Sequence, residues 1–493
     1  MSDTNRVAVR IVEESTFGTT PATPAFEELR VTEANPSFQP NTVTSNEIRS
    51  DRQVTDLILV GAEAGGPLGL EVSHGALDTL IEGAMFSDWS NKAMRYNATS
   101  DSSITDVIAS SDTFEVVSAG GTFVEGDLVY TTGFTNSGNN GLFRAESGTS
   151  ATEVVVPSSP GLTNESAPPA GARIRKVGFQ GATGDIEATT SGGNALISTS
   201  LGLNTLGLVA GEWLYVGGAA AGNKFGTAAN TGWVRIAADG IAANRLDLDI
   251  VPSGWATDDG STKAIQVFCG DLIRNGVAEH SYSIEREFSD HSPVTYEYLR
   301  GMEVGTLVLA AESESIMTAN ATFMGKDAVM QDSARFSGAT TVAAPTGDVL
   351  NTSSNVGRIA EAGSVVSGPN YPQTVTINLE NNLRRRTAIG TLGAVSMGAG
   401  EFSVTGSIGT YFGNKTLAQK VIDNTATSFD MVVGRADGVK PALVIDLPRM
   451  KYSAGSPQVP GKNQDVMVDL QFQAYRHPDL GYTLAIQRHH YLP

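Results

Sequence analysis

Catalysis would have to start from very few residues. The chain has six histidines in 493 positions, His74, His280, His291, His477, His489 and His490, and a general base must sit within hydrogen-bond reach of the proton it takes. None of the six falls in a metal-ligand or nucleophile spacing. His489 and His490 are adjacent near a strand end, where successive side chains point to opposite faces. The pair is therefore expected at a surface or interface and not on one metal ion. Asp247 and Asp249 alternate with Leu246 and Leu248, the wet side of a strand and not a calcium loop. No phosphate-binding glycine loop, dinucleotide fingerprint or serine elbow occurs. Arg384, Arg385 and Arg386 form a short cationic run, for which an intersubunit salt bridge is the expectation. Asn97-Ala98-Thr99 and Asn414-Lys415-Thr416 match a glycosylation acceptor, but no secretory leader gives them meaning. The expectation is no enzyme, with no catalytic, cofactor or metal residues.

Composition points the same way. Lysine and arginine total 33 against 53 acids, a formal charge of −20, so the mean surface potential opposes nucleic-acid phosphates. The lone cysteine, Cys269, excludes an intrachain disulfide and a cysteine-cluster zinc site, and is expected to be buried. Hydrophobic residues make up 40%, charged residues only 17%, and glycines number 54; this suits β modules with many tight turns. No apolar run approaches the roughly 20 residues of a membrane span. The start, Met1 to Arg10, lacks a secretory apolar core, so synthesis in the cytoplasm is expected.

The elements that remain are strands, with two exceptions. From Gly65 to Phe86 an alternating stretch, Leu68, Leu70 and Val72, gives way to Leu77, Leu80, Ile81, Ala84 and Met85 at helical spacing. Phe402 and Val404 lead in the same way into Leu417, Ala418, Val421 and Ile422. Downstream of each unit the pattern continues in parallel: Tyr282 to Phe288, Met302 and Phe323 correspond to Phe429 to Val433, Met450 and Phe472, about 147 to 149 positions apart. One strand-turn-helix unit, continued into a β-domain, is thus expected twice. The insertion that splits the first copy carries its own repeat: Phe123 to Tyr130 parallels Leu208 to Tyr215, and Asn140 to Arg144 parallels Thr231 to Arg235. The fold class expected is mainly β. Its parts are a discontinuous first copy (1–92 and 270–331), two small β-modules (93–190 and 191–269), a linker or arm (332–369) and a second copy (370–493). Residues 39–53 are polar and long for a hairpin turn, the profile of a loop that orders on a partner.

The run from Glu13 to Pro24, the strand and loop after it to Asp51, and the later segments Ile284 to Phe288, Gly301-Met302 and Phe323 to Lys326 resemble the tail tube proteins of long-tailed, non-contractile bacteriophages. With the internal repeat the resemblance covers roughly half the chain. It implies that each copy is a tube-like β-sandwich with one flanking helix, in a structural subunit of the virion made in the host cytoplasm, whose inner strands join those of its neighbours into a barrel around a DNA channel. Rings would stack through a long loop and terminal arms, and DNA would pass without sequence-specific binding. Tape measure, tail terminator and distal tail proteins are the implied partners. The departures are the doubling, which implies a homotrimeric pseudo-sixfold ring, and the double insertion. On this reading Asn41, Asn46, Glu47, Asp51 and Arg52 belong to the stacking loop. Glu71, Glu285, Glu287 and Asp430 are candidates for an acidic lumen, followed by Glu380 and Glu401. The alternative is a carbohydrate- or receptor-binding phage appendage using Trp213, Trp233 and Trp255. Trp213 and Trp233 match Leu128 and Leu142 in the repeat, however, which favours core packing.

Overall fold

Two long strands, Thr295–Glu312 and Ala442–Ala454, are each shared between two sheets, and the other strands are laid against them. The computed structural model describes residues 3–98, 103–159, 161–332, 334–366, 368–435 and 440–493. It is mainly β, with two α-helices among the described residues, α1 (Asp78–Met85) and α2 (Thr416–Ile422). The first half of Thr295–Glu312 pairs with Tyr282–Phe288 and Asp327–Asp332. Its second half pairs with Thr318–Gly325 and Pro372–Glu380. Gly301 sits between the halves at φ +63°, where a side chain would be strained and would also press on Phe17 and Lys326. Ala442–Ala454 does the same service in the second sandwich, pairing with Ala426–Gly434, Ala485–His489 and Met467–Ala474.

One continuous sheet results across both sandwiches. Its order is Val31–Ala34, Leu57–Glu71, Thr318–Gly325, Thr295–Glu312, Pro372–Glu380, Ser403–Tyr411, Met467–Ala474 and the end of Ala442–Ala454. Period-two alternation decides its two faces. Leu68, Ala321, Leu307, Ile377, Ile408 and Leu470 point into one core, which runs through both sandwiches without a break. α1 lies on that core through Leu80, Ile81, Ala84 and Met85. Gly83 lets it approach, because a Cβ there would meet Val304 at 2.8 Å and Tyr282 at 2.9 Å. In α2 only Leu417 and Ala418 are buried, and Ile422 is exposed.

The insertion forms a ten-stranded and a four-stranded sheet. Arg173–Gln180 pairs with Gln266–Phe268, so residues 93–190 and 191–269 share the larger sheet. Buried Asn139 and Asn230 do equivalent jobs: each amide accepts from one backbone N–H and donates to a carbonyl, at Thr163 and Ala256 respectively. Far from standing apart, the insertion packs on the second sandwich. Leu128, Val177, Trp213 and Phe268 meet Val432, Val444 and Leu492 in one buried cluster. Cys269 is buried, which pushes its thiol up to about 12. Asn97 is buried and bonded to Ile104 and Pro168, while Thr99 of that acceptor motif lies outside the described residues.

Residues 332–369 are only partly a connector. Thr340–Val342 adds in parallel to Ala25–Glu28, and Val356–Glu361 is a strand beside Ala426–Gly434. That short strand escapes sequence inspection because Gly357 and Ala360 interrupt any large-residue alternation.

Candidate functional site

Two features remain after core and turns are accounted for: the uncovered face of the continuous sheet and a hairpin arm that leaves it. The uncovered face carries mainly Thr, Ser, Asn and Gln, such as Thr306, Thr322, Asn378, Thr405 and Gln471. Glu33, Glu71, Glu312, Glu380 and Asp469 lie among them with Lys451, and Arg384 borders Thr306, Thr322 and Glu380. Glu71 and Glu380, two of the candidates for an acidic lumen, lie on this face. Glu401 is exposed just before Ser403–Tyr411.

Glu285, Glu287 and Asp430 are elsewhere, in the sheets that back the sandwiches. Glu285 is 0% exposed and is held by Arg10 at 2.8 Å, Arg335 at 2.8 Å and the Tyr298 hydroxyl at 3.0 Å. Glu287 shares Arg10 at 2.6 Å. Asp430, 1% exposed, is paired with Arg358. An acid on a strand reads as wet from alternation alone, but here arginines from other strands make burial affordable. Glu312 and Asp469 were missed, although the alternation of Asp469 with Leu470, Gln471 and Phe472 carries the signal.

The arm begins where a polar loop was expected. Ser37–Thr44 pairs with Leu57–Glu71 from Ser37↔Gly65 to Thr44↔Leu57, so Asn41 lies in a ladder opposite Gly61. Asn46, Glu47, Asp51 and Arg52 are at the exposed tip, where Arg49 and Asp51 pair at 2.7 Å. Nor is the arm only polar: Val43, Ile48, Val54, Leu57 and Val60 are all exposed, Ile48 at 99%. Such a patch on a two-stranded arm marks a contact surface. The second sandwich has a shorter arm, Arg384–Arg386 paired with Ser396–Gly398. This one is docked: Leu392 accepts from Ala62 N–H at 2.8 Å, and Arg385 bonds the Glu63 carboxylate and the Ala62 carbonyl. The expected arginine salt bridge thus has a partner within the chain.

A family model described as phage tail tube protein matches residues 4–474. The chain belongs to that family. It is accordingly a structural subunit of a phage tail tube, a virion component that assembles with copies of itself. No curated protein matches the sequence. His74 and His489 are pushed down to about 3 and His490 to about 4, chiefly by burial. They sit where the sandwiches meet, His74 against the His489 carbonyl at 3.1 Å and His490 against Asp271 at 2.8 Å. The histidine pair expected at a surface or interface thus lies at an interface inside the chain. The tryptophans offer no binding platform either: Trp213 and Trp255 are buried, and Trp233 stacks edge-on against Tyr215 and His489. Among the described residues no group of three or more His, Cys, Asp or Glu could hold a metal ion, and no helix is long and apolar enough to cross a membrane.

Glu303 is a buried acid with other acids near it. It is 3% exposed, and burial with Glu279 and Glu14 nearby pushes it up to about 8, which Arg386 offsets only in part. The folded value lies above the unfolded one, so its contribution to stability is intact below the ordinary carboxylate range and is lost as pH rises through about 8. Glu303→Gln is expected to match the parent near pH 4. Above that it should become the more stable of the two by at most about 1.4 kcal/mol per pH unit, levelling off past pH 8. Denaturant melts across this range check it, and equal stability at pH 8 would refute it.

Proposed function

We propose that three chains close a pseudo-sixfold ring, that rings stack through the long arm, and that the uncovered polar face lines a channel for genomic DNA during ejection in a long-tailed, non-contractile phage. On this reading residues 1–92 with 270–331, and 370–493, are two tube-forming domains, and the insertion 93–269 is an outer layer. A tape measure protein would fill the channel before DNA does, with terminator and distal tail proteins at the ends.

The observation that carries the proposal is the continuous sheet. One face is core, the other is uncovered, polar and poor in cations, and both terminal strands are open edges. A sheet of this kind that closes on copies of itself loses its edges and gains a polar bore. The docked second arm supports the role of the first, because it lies on a neighbouring sandwich in the way a longer, more apolar arm would lie on a neighbouring ring.

Electron microscopy and native mass measurement test both parts. Full-length protein is expected as tubes whose released rings contain three chains. A chain whose residues 42–59 are replaced by a two-residue turn should give single rings that do not lengthen. Six chains per ring would refute the pairing of sandwiches, and full-length tubes from the trimmed chain would move the stacking contact elsewhere.

A further inference from the structure

The junction inside the chain specifies the junction between chains, provided that the ring reading above holds. Within the chain, residues 306–312 pair antiparallel with residues 380–374. Asn381 N–H donates to Gly305 O, which sets the parity. Leu307, Leu309 and Ala311 form hydrogen-bonded pairs with Leu379, Ile377 and Val375, and Val308 faces Asn378 as a non-hydrogen-bonded pair.

Both sides of that ladder recur at the open edges. Lys451↔Gln473 and Gln458↔Met467 repeat Glu303↔Met324 and Ala310↔Thr318. Residues 454–460 therefore occupy on the second sandwich the place of 306–312 on the first. Gly66 and Gly406 lie opposite Phe323 and Phe472. Relative to them, Ser37↔Gly65 and Gln39↔Glu63 repeat Asn378↔Thr405 and Glu380↔Ser403. Residues 33–39 thus occupy the place of 374–380.

We infer that residues 33–39 of one chain pair antiparallel with residues 460–454 of the next, in the register that sets Ser37 opposite Ser456, Phe38 opposite Gly455 and Pro36 opposite Pro457. Two exposed apolar side chains then find cover. Phe38, 38% exposed, lies over Gly455, and Val459, 79% exposed, lies against Ala34. The centre of the ladder is disarmed on both strands, because proline has no N–H to donate. Where the internal junction has Leu309 and Ile377, the seam has two prolines. The seam is consequently the weaker of the two junctions, and free chains carry a proline-guarded edge on each side, a device that holds off premature strand pairing.

Ser37→Cys combined with Ser456→Cys tests the register. Opposed residues of a non-hydrogen-bonded pair have Cβ atoms about 4.5 Å apart, close enough for a disulfide, and the native Cys269 is buried. Oxidised tubes of the double variant are expected to run on a denaturing gel as covalent multimers up to three chains, with neither single variant doing so. Tubes that form without cross-links overturn the register while leaving the ring reading intact; that reading fails if the parent chain makes no rings or makes rings of six chains. The proline guard is tested by Pro457→Val alone and with Pro36→Val, since Pro36 is buried and its change could disturb folding. Each is expected to lower the critical concentration for assembly, about tenfold for the pair. An unchanged or higher value for Pro457→Val overturns the guard.

Discussion

A chain in which a short Gly/Ser linker replaces residues 93–269 is expected to be insoluble. Closing the gap is easy, since Ser90 and Leu272 already form a β-bridge at the ends of the insertion. The obstacle is the face left behind. Val432, Ala442 and Val444 would lose the cover of Leu128, Val177, Trp213 and Phe268. Asp446, 1% exposed, would lose Arg235 at 3.0 Å, and breaking a buried pair costs about 3–5 kcal/mol. That is a large share of the roughly 5–15 kcal/mol that holds a domain together. Trp213 adds to it: its N–H of the main chain donates to Gln487 at 2.6 Å, and its ring lies between Arg235 and Arg358 at 5.8 and 5.5 Å. Trp213→Ala is the milder form of the same test, at about 3–5 kcal/mol. Soluble yield and thermal melting decide it; a soluble deletion chain with an unchanged midpoint would mean that the contact is dispensable.

The same contact marks where sequence reading stops. Alternation and helical spacing locate the strands around Leu68, Phe323 and Phe472 and both helices, because those elements have one wet and one dry face; the strands around Ile284 and Phe429, buried on both faces over 282–285 and 429–433, were legible through the repeat. They do not say which element covers a dry face. Trp213 aligns with Leu128 and so reads as core, yet nothing local reveals that the core is shared with Val432 and Val444. The long arm was hidden for a related reason: Asn41, Thr42, Val43 and Thr44 lack large buried residues, since the arm has no core of its own. Glu285 and Asp430 failed through distance in sequence. Their partners Arg10, Arg335 and Arg358 come from strands and segments that only the fold brings close. Glu71 and Glu380 were legible because an uncovered sheet face keeps its alternation to the surface.

Lysine in place of Glu71, Glu312, Glu380 and Asp469 is expected to arrest DNA without preventing tube assembly. All four are on the uncovered face, where they take no part in the core, and none is buried. Duplex DNA carries a charge about every 1.7 Å of its axis, and each phosphate that a lysine neutralises releases condensed counterions and strengthens binding. Rings of lysine repeated along a tube would hold the duplex at many points at once. The native face, rich in hydroxyl and amide groups with scattered carboxylates, offers no such gain, and its repulsion is screened beyond about 8 Å at physiological salt. Passage then depends on the absence of strong contacts on any sequence. Particles carrying the four substitutions should retain DNA after triggering at low salt and release it progressively as salt is raised, because the captured state loses affinity steeply with ionic strength. Ejection at the parental rate at all salt concentrations would remove this face from the channel and, with it, the proposed orientation of the sheet in the tube.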